Sequence, residues 1–229
     1  MKLIIRNIII FLFYLTSIPF WRRWFLGRPL LRVWCLHEVK DEQVGRFRKK
    51  IDYLKRHFNI ISPQQFLEQE LSIKKLNLLL TFDDGFQSWF ANVLPVLEKE
   101  KIKAIFFVNQ AFYSQAGQLT ADGHWVGGHS SSHKRLTEIN SSELEKEVWQ
   151  SEKSEFFAYP YGDKQSFNCE VIDEVKKAGF KKAFTILPGF NNKKTNPWLL
   201  HRDALDADTA DWVFKLWLKG CYDWIKRVF

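Results

Sequence analysis

The sequence predicts an α/β fold, with parallel strands in a sheet or barrel and the working residues at the carboxyl ends of those strands. Three observations carry the expectation. Short apolar runs alternate with segments of helical periodicity, an acidic pair directly follows one of those runs, and 229 residues, 46% of them hydrophobic, suffice for one full core.

The elements follow in order. LLRVWCLH reads as a buried strand ending at His37, and FRKKIDYLKRHF sets Phe47, Ile51, Leu54 and Phe58 at helical spacing on one side. NIISPQQFLEQEL is a short strand and a helix, with Ser62 as N-cap and Pro63 at the first helical position, where a missing N–H leaves nothing unpaired. KLNLLLTF is the next strand, LPVLEKEK closes a helix, and IKAIFFV is again a strand. After a middle segment come the strand SEFFAYP, the helix CEVIDEVKKAGF with Gly179 suited to its C-cap, and the strand KKAFTIL.

The ends differ from this pattern. We divide the chain into a hydrophobic membrane-associating segment at 1–28, a catalytic domain at 29–208 and an amphipathic aromatic helix at 209–229. The run Ile8 to Trp21 is apolar apart from Thr16 and Ser17, shorter than the ~20 residues of a typical span, and suits a short anchor or an interfacial helix, with a buried core helix as the third reading. No small-residue cleavage site follows it. Arg22, Arg23, Arg28 and Arg32 outnumber Lys2 and Arg6, which favours the cytoplasmic side for the rest of the chain if the segment spans. In the C-terminal stretch, Lys215, Lys219, Asp223 and Arg227 make a narrow charged stripe beside Trp212, Trp217, Tyr222 and Trp224, a pattern that suits a helix lying in a membrane interface or one docked onto the barrel.

The net charge of +8 comes from 34 basic and 26 acidic residues, scattered except for clusters near the ends. It suits an anionic membrane surface; no basic stripe with interleaved aromatics points to nucleic acid. Cys35, Cys169 and Cys221 are dispersed and form no disulfide framework, which favours a reducing compartment.

The chemistry centres on LLLTFDDGF. Asp83 and Asp84 are adjacent like charges at the end of a buried strand, so one must be protonated, hydrated or matched by a cation. Candidate ligands lie downstream in DGHWVGGHSSSHKRL, where His129 and His133 are four apart. A helical turn would project both imidazoles from one face, and the intervening serines invite a helix N-terminus there. One aspartate and two histidines hold a divalent ion with positions left for water and substrate. The other aspartate is then free to take a proton from water whose pKa the ion lowers to ~7. Zinc is the first expectation for this donor set; nickel, cobalt and iron also suit it.

TFDDGF, GHWVGGHSSSH and FAYPYGD, in that order, resemble the motifs of the polysaccharide deacetylases with a NodB-homology domain, carbohydrate esterase family 4. The resemblance runs from about Leu31 to at least Phe184. It implies a distorted (β/α) barrel and metal-dependent hydrolysis of N-acetyl groups on amino sugars. It also implies Asp83 as general base, Asp84, His129 and His133 as metal ligands, and Tyr161 as donor of a backbone N–H to the oxyanion, with Pro160 shaping the turn. The family's late Leu-x-His motif has one candidate in LLHRD, which makes His201 the expected general acid, although it precedes DALDADTADW where the family's Asp-Trp element comes before its acid. Arg202 is a candidate for orienting Asp83. Ala158 stands where many members have Arg, and the FAYPYG form resembles the subgroup acting on poly-N-acetylglucosamine and related surface glycans. His37 resembles a site-lining histidine of that subgroup or is structural, and His124 is read as packing.

The expected function is thus removal of N-acetyl groups from an amino sugar of a membrane-linked or cell-surface glycan or glycolipid, at a bacterial inner membrane. An O-acetyl esterase and an inactive carbohydrate-binding relative are the alternatives. Few residues follow the third motif, so a truncated barrel with an open site is expected.

Overall fold

In this computed structural model the described residues are 26–223, so the Ile8 to Trp21 run, Trp224 and Arg227 lie outside them. The strands are β1 (Leu31–Leu36), β2 (Asn59–Ile60), β3 (Asn77–Asp83), β4 (Ile105–Val108), β5 (Trp125–Gly128), β6 (Phe156–Ala158), β7 (Lys182–Phe184) and β8 (Asp203–Ala204). They pair in parallel in the order β7-β6-β5-β4-β3-β1-β8, with β2 on the start of β3. Helices α1 (Val44–His57), α2 (Pro63–Leu67), α3 (Leu94–Lys99), α4 (Tyr113–Ala121), α5 (Ser141–Trp149), α6 (Cys169–Lys177) and α7 (Asp211–Leu218) pack outside this curled sheet. The result is the expected distorted (β/α) barrel.

The local signals act as the sequence suggests. Ser62 Oγ accepts from Gln65 N with Pro63 opening α2, and Gly179, at φ +93°, ends α6 by donating to Lys176 O. The alternating side-chain period of each strand divides the core in two. Leu78, Leu80 and Phe82 of β3 pack outward with α1 and α3, and Leu79 packs inward with Val33, Ile105 and Phe107. The same alternation turns Asp83 inward at the mouth of the barrel.

Two expectations change. The barrel is not left open between β7 and β1. Leu200 exchanges hydrogen bonds with Ala183 and Thr185 at 2.9 Å, and a few residues later Asp203 and Ala204 pair with Trp34 and Cys35, so the segment 200–205 bridges both edges. Nor does the C-terminal charged stripe continue as one helix. It breaks at Gly220 (φ +89°), and Asp223 is buried, 2.7 Å from the equally buried Arg32, which also reaches Asp203 at 3.1 Å. Arg32 also donates to the carbonyls of Trp217 and Leu218, which docks the end of α7 on the barrel, while Trp212 at its start stays 47% exposed. Among the described residues no helix is long and apolar enough to cross a membrane.

His124, read as packing, is 2% exposed, stands edge-on to Phe106, and accepts the Ala104 N–H at its Nδ1. Burial, with help from Lys103, pushes its pKa down to about 4. A histidine held neutral in the fold contributes stability that is intact above its unfolded pKa of 6.5 and is lost as the pH falls towards 4. Chemical denaturation is expected to show a loss of about 3 kcal/mol over that interval. His124→Gln should flatten the decline; an equally steep decline in that variant would assign it to other groups.

Candidate active site

Asp83 ends β3 pointing inward and is 2% exposed. Arg202 meets it with two parallel bonds, Nη1 to Oδ1 and Nη2 to Oδ2, both 2.6 Å, while its Nε donates to Thr185 O. Cys35 Sγ lies 3.4 Å from Oδ2. Burial alone would raise the carboxyl, but Arg202, aided by His129 and His37, holds it below its usual range, so Asp83 stays ionised at neutral pH. Burial pushes the Cys35 thiol well up.

Asp84 turns the chain out of the strand at φ +82°, a strained value for a residue with a Cβ, and Asn109 Nδ2 bonds its carbonyl. The glycine of DDGF is required here: Gly85 has φ +85°, and a Cβ on it would stand 2.7 Å from Phe112. The turn aims Asp84 Oδ1 between two imidazoles, 3.2 Å from His129 Nε2 and 3.1 Å from His133 Nε2.

The histidines converge, but not by the helical turn expected for them. Residues 129–133 form a loop in which Ser130 and His133 have left-handed φ values of +58° and +59°, and His133 N donates to Ser130 Oγ at 2.9 Å. The three serines serve as loop donors and acceptors rather than as a helix cap. β5, which the sequence reading did not separate as a strand, delivers His129 at its carboxyl end.

The donor set fits a divalent cation. His129 Nδ1 is 2.7 Å from Ala158 O, so that nitrogen carries the proton and Nε2 presents a lone pair to the cluster. Asp84 Oδ1 is buried without a hydrogen-bond partner. A carboxylate oxygen facing an imidazole lone pair is repelled unless a cation lies between. Donors around one ion at ~2.0–2.2 Å stand ~3.0–3.5 Å apart, which matches both observed separations. Without an ion, the nearby carboxylate raises the pKa of His133, and the two imidazoles outweigh burial to hold Asp84 well below the usual range.

The third motif supplies the opposite wall. Gly162 N donates to Pro160 O at 2.7 Å, a γ-turn that holds Tyr161 at φ +62°. Tyr161 is 49% exposed, and its ring stands edge-on to His133 with centroids 4.9 Å apart and lies 4.6 Å from the Arg135 guanidinium. Arg135 is held by two bonds to Asp163, whose pKa it lowers, with Ser166, to about 2.

His201 is not brought to this cluster. Arg202 faces the barrel interior, so its neighbour in extended chain faces away. The His201 ring lies over Gly189 and lines a separate cavity of about 630 Å³ with Lys164, Phe190 and Asn196. His37 is the further histidine at the mouth: its Nε2 is 4.0 Å from Asp84 Oδ2, its side chain is 40% exposed, and its carbonyl is fixed by Trp89 Nε1.

Parallel strands delivering a carboxylate and two imidazoles to one barrel mouth, with an ionised second carboxylate alongside, define an α/β-barrel protein with a candidate divalent-ion site. Residues 72–183 match the family model of polysaccharide deacetylases, and the chain carries a domain of that family. It is 24% identical over 216 residues to the poly-beta-1,6-N-acetyl-D-glucosamine N-deacetylase of Staphylococcus aureus, covering 79% of this chain and 73% of that one. It is 28% identical over 123 residues to the peptidoglycan-N-acetylmuramic acid deacetylase PdaA of Bacillus subtilis, covering 48% and 47%. For three of the curated relatives it matches, the shared stretch spans 30% to 64% of the relative's length. The solved de-N-acetylase of Aggregatibacter actinomycetemcomitans superposes with a TM-score of 0.71 at 16% identity, over 82% of this chain and 100% of that one, a likeness of fold.

Proposed function

We propose that the protein is a metal-dependent carbohydrate N-deacetylase acting on an N-acetylated amino sugar of a cell-surface or membrane-linked glycan. The observation that carries this reading is the convergence of Asp84, His129 and His133 beside an ionised Asp83 at the barrel mouth. The two named relatives add the substrate class, since both act on N-acetylated sugars by their names.

A divalent ion bound there, zinc by ligand chemistry, supplies Lewis acidity to water and to the acetyl carbonyl. Asp83, kept ionised by Arg202, takes a proton from the attacking water as its oxygen bonds to the carbonyl carbon. The Tyr161 N–H stabilises the oxyanion of the tetrahedral species. As the carbon–nitrogen bond breaks, the amine takes a proton; His37 is the better supported donor, because it borders both aspartates and His201 does not. Acetate and a free amino sugar leave. The exposed Tyr161 ring offers a flat apolar surface to a pyranose.

The test is release of amine and acetate in equal amounts from short N-acetylglucosamine oligomers, abolished by a chelator and restored by zinc or cobalt. Hydrolysis of a chromogenic acetyl ester without amine release would make the protein an O-acetyl esterase, and neither activity with bound sugar would make it a binding relative.

We further propose residues 1–28 as the membrane-associating segment and, within residues 209–229, the exposed Trp212 of the docked α7 as a weaker second contact, with the catalytic domain on the cytoplasmic side. The apolar run flanked by arginines supports this. Deleting residues 1–25 keeps Leu26, whose carbonyl bonds Asn192, and should move the protein from the membrane to the soluble fraction. A full-length protein recovered wholly soluble without detergent would refute the attachment, and protease digestion of the domain in intact spheroplasts would refute the side.

A further inference from the structure

The loop carrying both histidines has left-handed residues at Ser130 and His133, and such backbone persists only where its surroundings over-determine it. A helix away from the motifs supplies that constraint. Glu147, on α5, accepts the N–H groups of Ser131 at 3.1 Å and Ser132 at 2.8 Å with one carboxylate oxygen, and the Ser132 hydroxyl with the other. Its main-chain oxygen also accepts from Ser131 N at 2.9 Å. On the far side of the loop, Gln110 takes the Ser131 hydroxyl at 2.8 Å and donates its own N–H to Ser131 O.

Glu147 is 6% exposed and sits in the last turn of its helix, where the helix dipole disfavours a negative charge. Its cationic neighbour is Lys134, 3.9 Å away and paired more closely with Glu143. A buried carboxylate in an unfavourable helical position is therefore compensated chiefly by donors of the histidine loop. The interaction fixes the segment between His129 and His133 at two of its three peptide N–H groups, those of Ser131 and Ser132.

We propose that Glu147 is a positioning residue for the ion site: by clamping Ser131 and Ser132 it sets the relative orientation of the two imidazoles, and so the affinity for the divalent ion. The inference rests on the reading of Asp84, His129 and His133 as an ion site. A purely structural role would lower the stability of the ion-free protein without altering affinity in molecules that remain folded. A positioning role changes the affinity itself.

The test uses the full chain stripped of metal, with zinc titrated in competition with a chelator and cobalt added separately to record its visible absorption. E147Q keeps the volume but places an amide where two acceptor oxygens are needed. We expect zinc affinity to fall roughly 10–100-fold, the range for partners that orient metal ligands, with an altered cobalt spectrum. S132A, which removes one donor, should show a smaller loss in the same direction and serves alone if E147Q does not fold. Wild-type affinity and an unchanged cobalt spectrum in folded E147Q, or in S132A where E147Q fails to fold, overturn the clamp while the ion site stands. No zinc binding by the wild-type protein overturns the ion site itself, and the clamp with it.

Discussion

Replacing Arg202 by methionine should cost about 3–5 kcal/mol of stability at neutral pH, the loss found when one partner of a buried ion pair is removed. Arg202 is fully buried, bonds both oxygens of Asp83, and packs 5.3 Å from the Phe107 ring. Methionine replaces its stem but leaves a carboxylate in the barrel with only the Cys35 thiol and more distant imidazoles to answer it. The pH dependence distinguishes this from simple mispacking. In the native protein the Asp83 pKa lies below its ordinary 3.8, so the pair's contribution is present above that value and lost as the pH falls through the lowered one. In the variant burial prevails and the folded-state pKa rises above 3.8, so the penalty is greatest at pH 7 and shrinks as Asp83 takes up a proton. Urea denaturation at pH 7 and pH 4.5 should show the deficit narrowing. Adding Asp83→Asn to Arg202→Met should recover part of it, and a deficit of the same size at both pH values would locate the damage in packing instead.

Asp83→Asn alone should lower the deacetylation rate by a factor of roughly 10² to 10⁴, the contribution typical of a positioned general base, with bound metal retained. Arg202 then faces a neutral amide, so some stability is lost as well, and metal content together with rate is the decisive pair of readings. His133→Ala should behave differently: His133 Nε2 lies 3.1 Å from Asp84, and its removal should abolish metal and activity together. A fully active Asp83→Asn would remove the base assignment, and a fully active, metal-free His133→Ala would remove the ion site.

Much of the architecture was legible because local rules agree with one another. LLLTF is apolar on both faces, as a parallel strand covered on both sides must be, and the next residue in a period of two points into the barrel. Ser62 with Pro63, and Gly179 after CEVIDEVKKA, marked helix ends through backbone chemistry that acts within four residues. The site was legible to the extent that its donors are unusual at their spacing: DDG, HxxxH and YPYG name Asp84, His129, His133 and the Tyr161 turn. The helical turn expected for HSSSH was a misreading, since four-residue spacing suits a helix and a tight loop alike. Here Ser130 Oγ and Glu147 favour the loop.

What the sequence alone determined is the set of elements and the chemical types at the strand ends, because burial pattern, caps and turns are properties of neighbouring residues. Which distant groups meet was decided only by the tertiary structure. Nothing local assigns Arg202 to Asp83 across 119 residues, turns Arg202 inward and His201 outward, or brings Glu147 beneath Ser131 and Ser132. Those pairings arise because closure of the barrel places the segment 200–205 against β1, so that the inward residue of that segment meets the inward residue of β3. A buried charge at such a point requires a partner of opposite charge, and the closed fold is what supplies it.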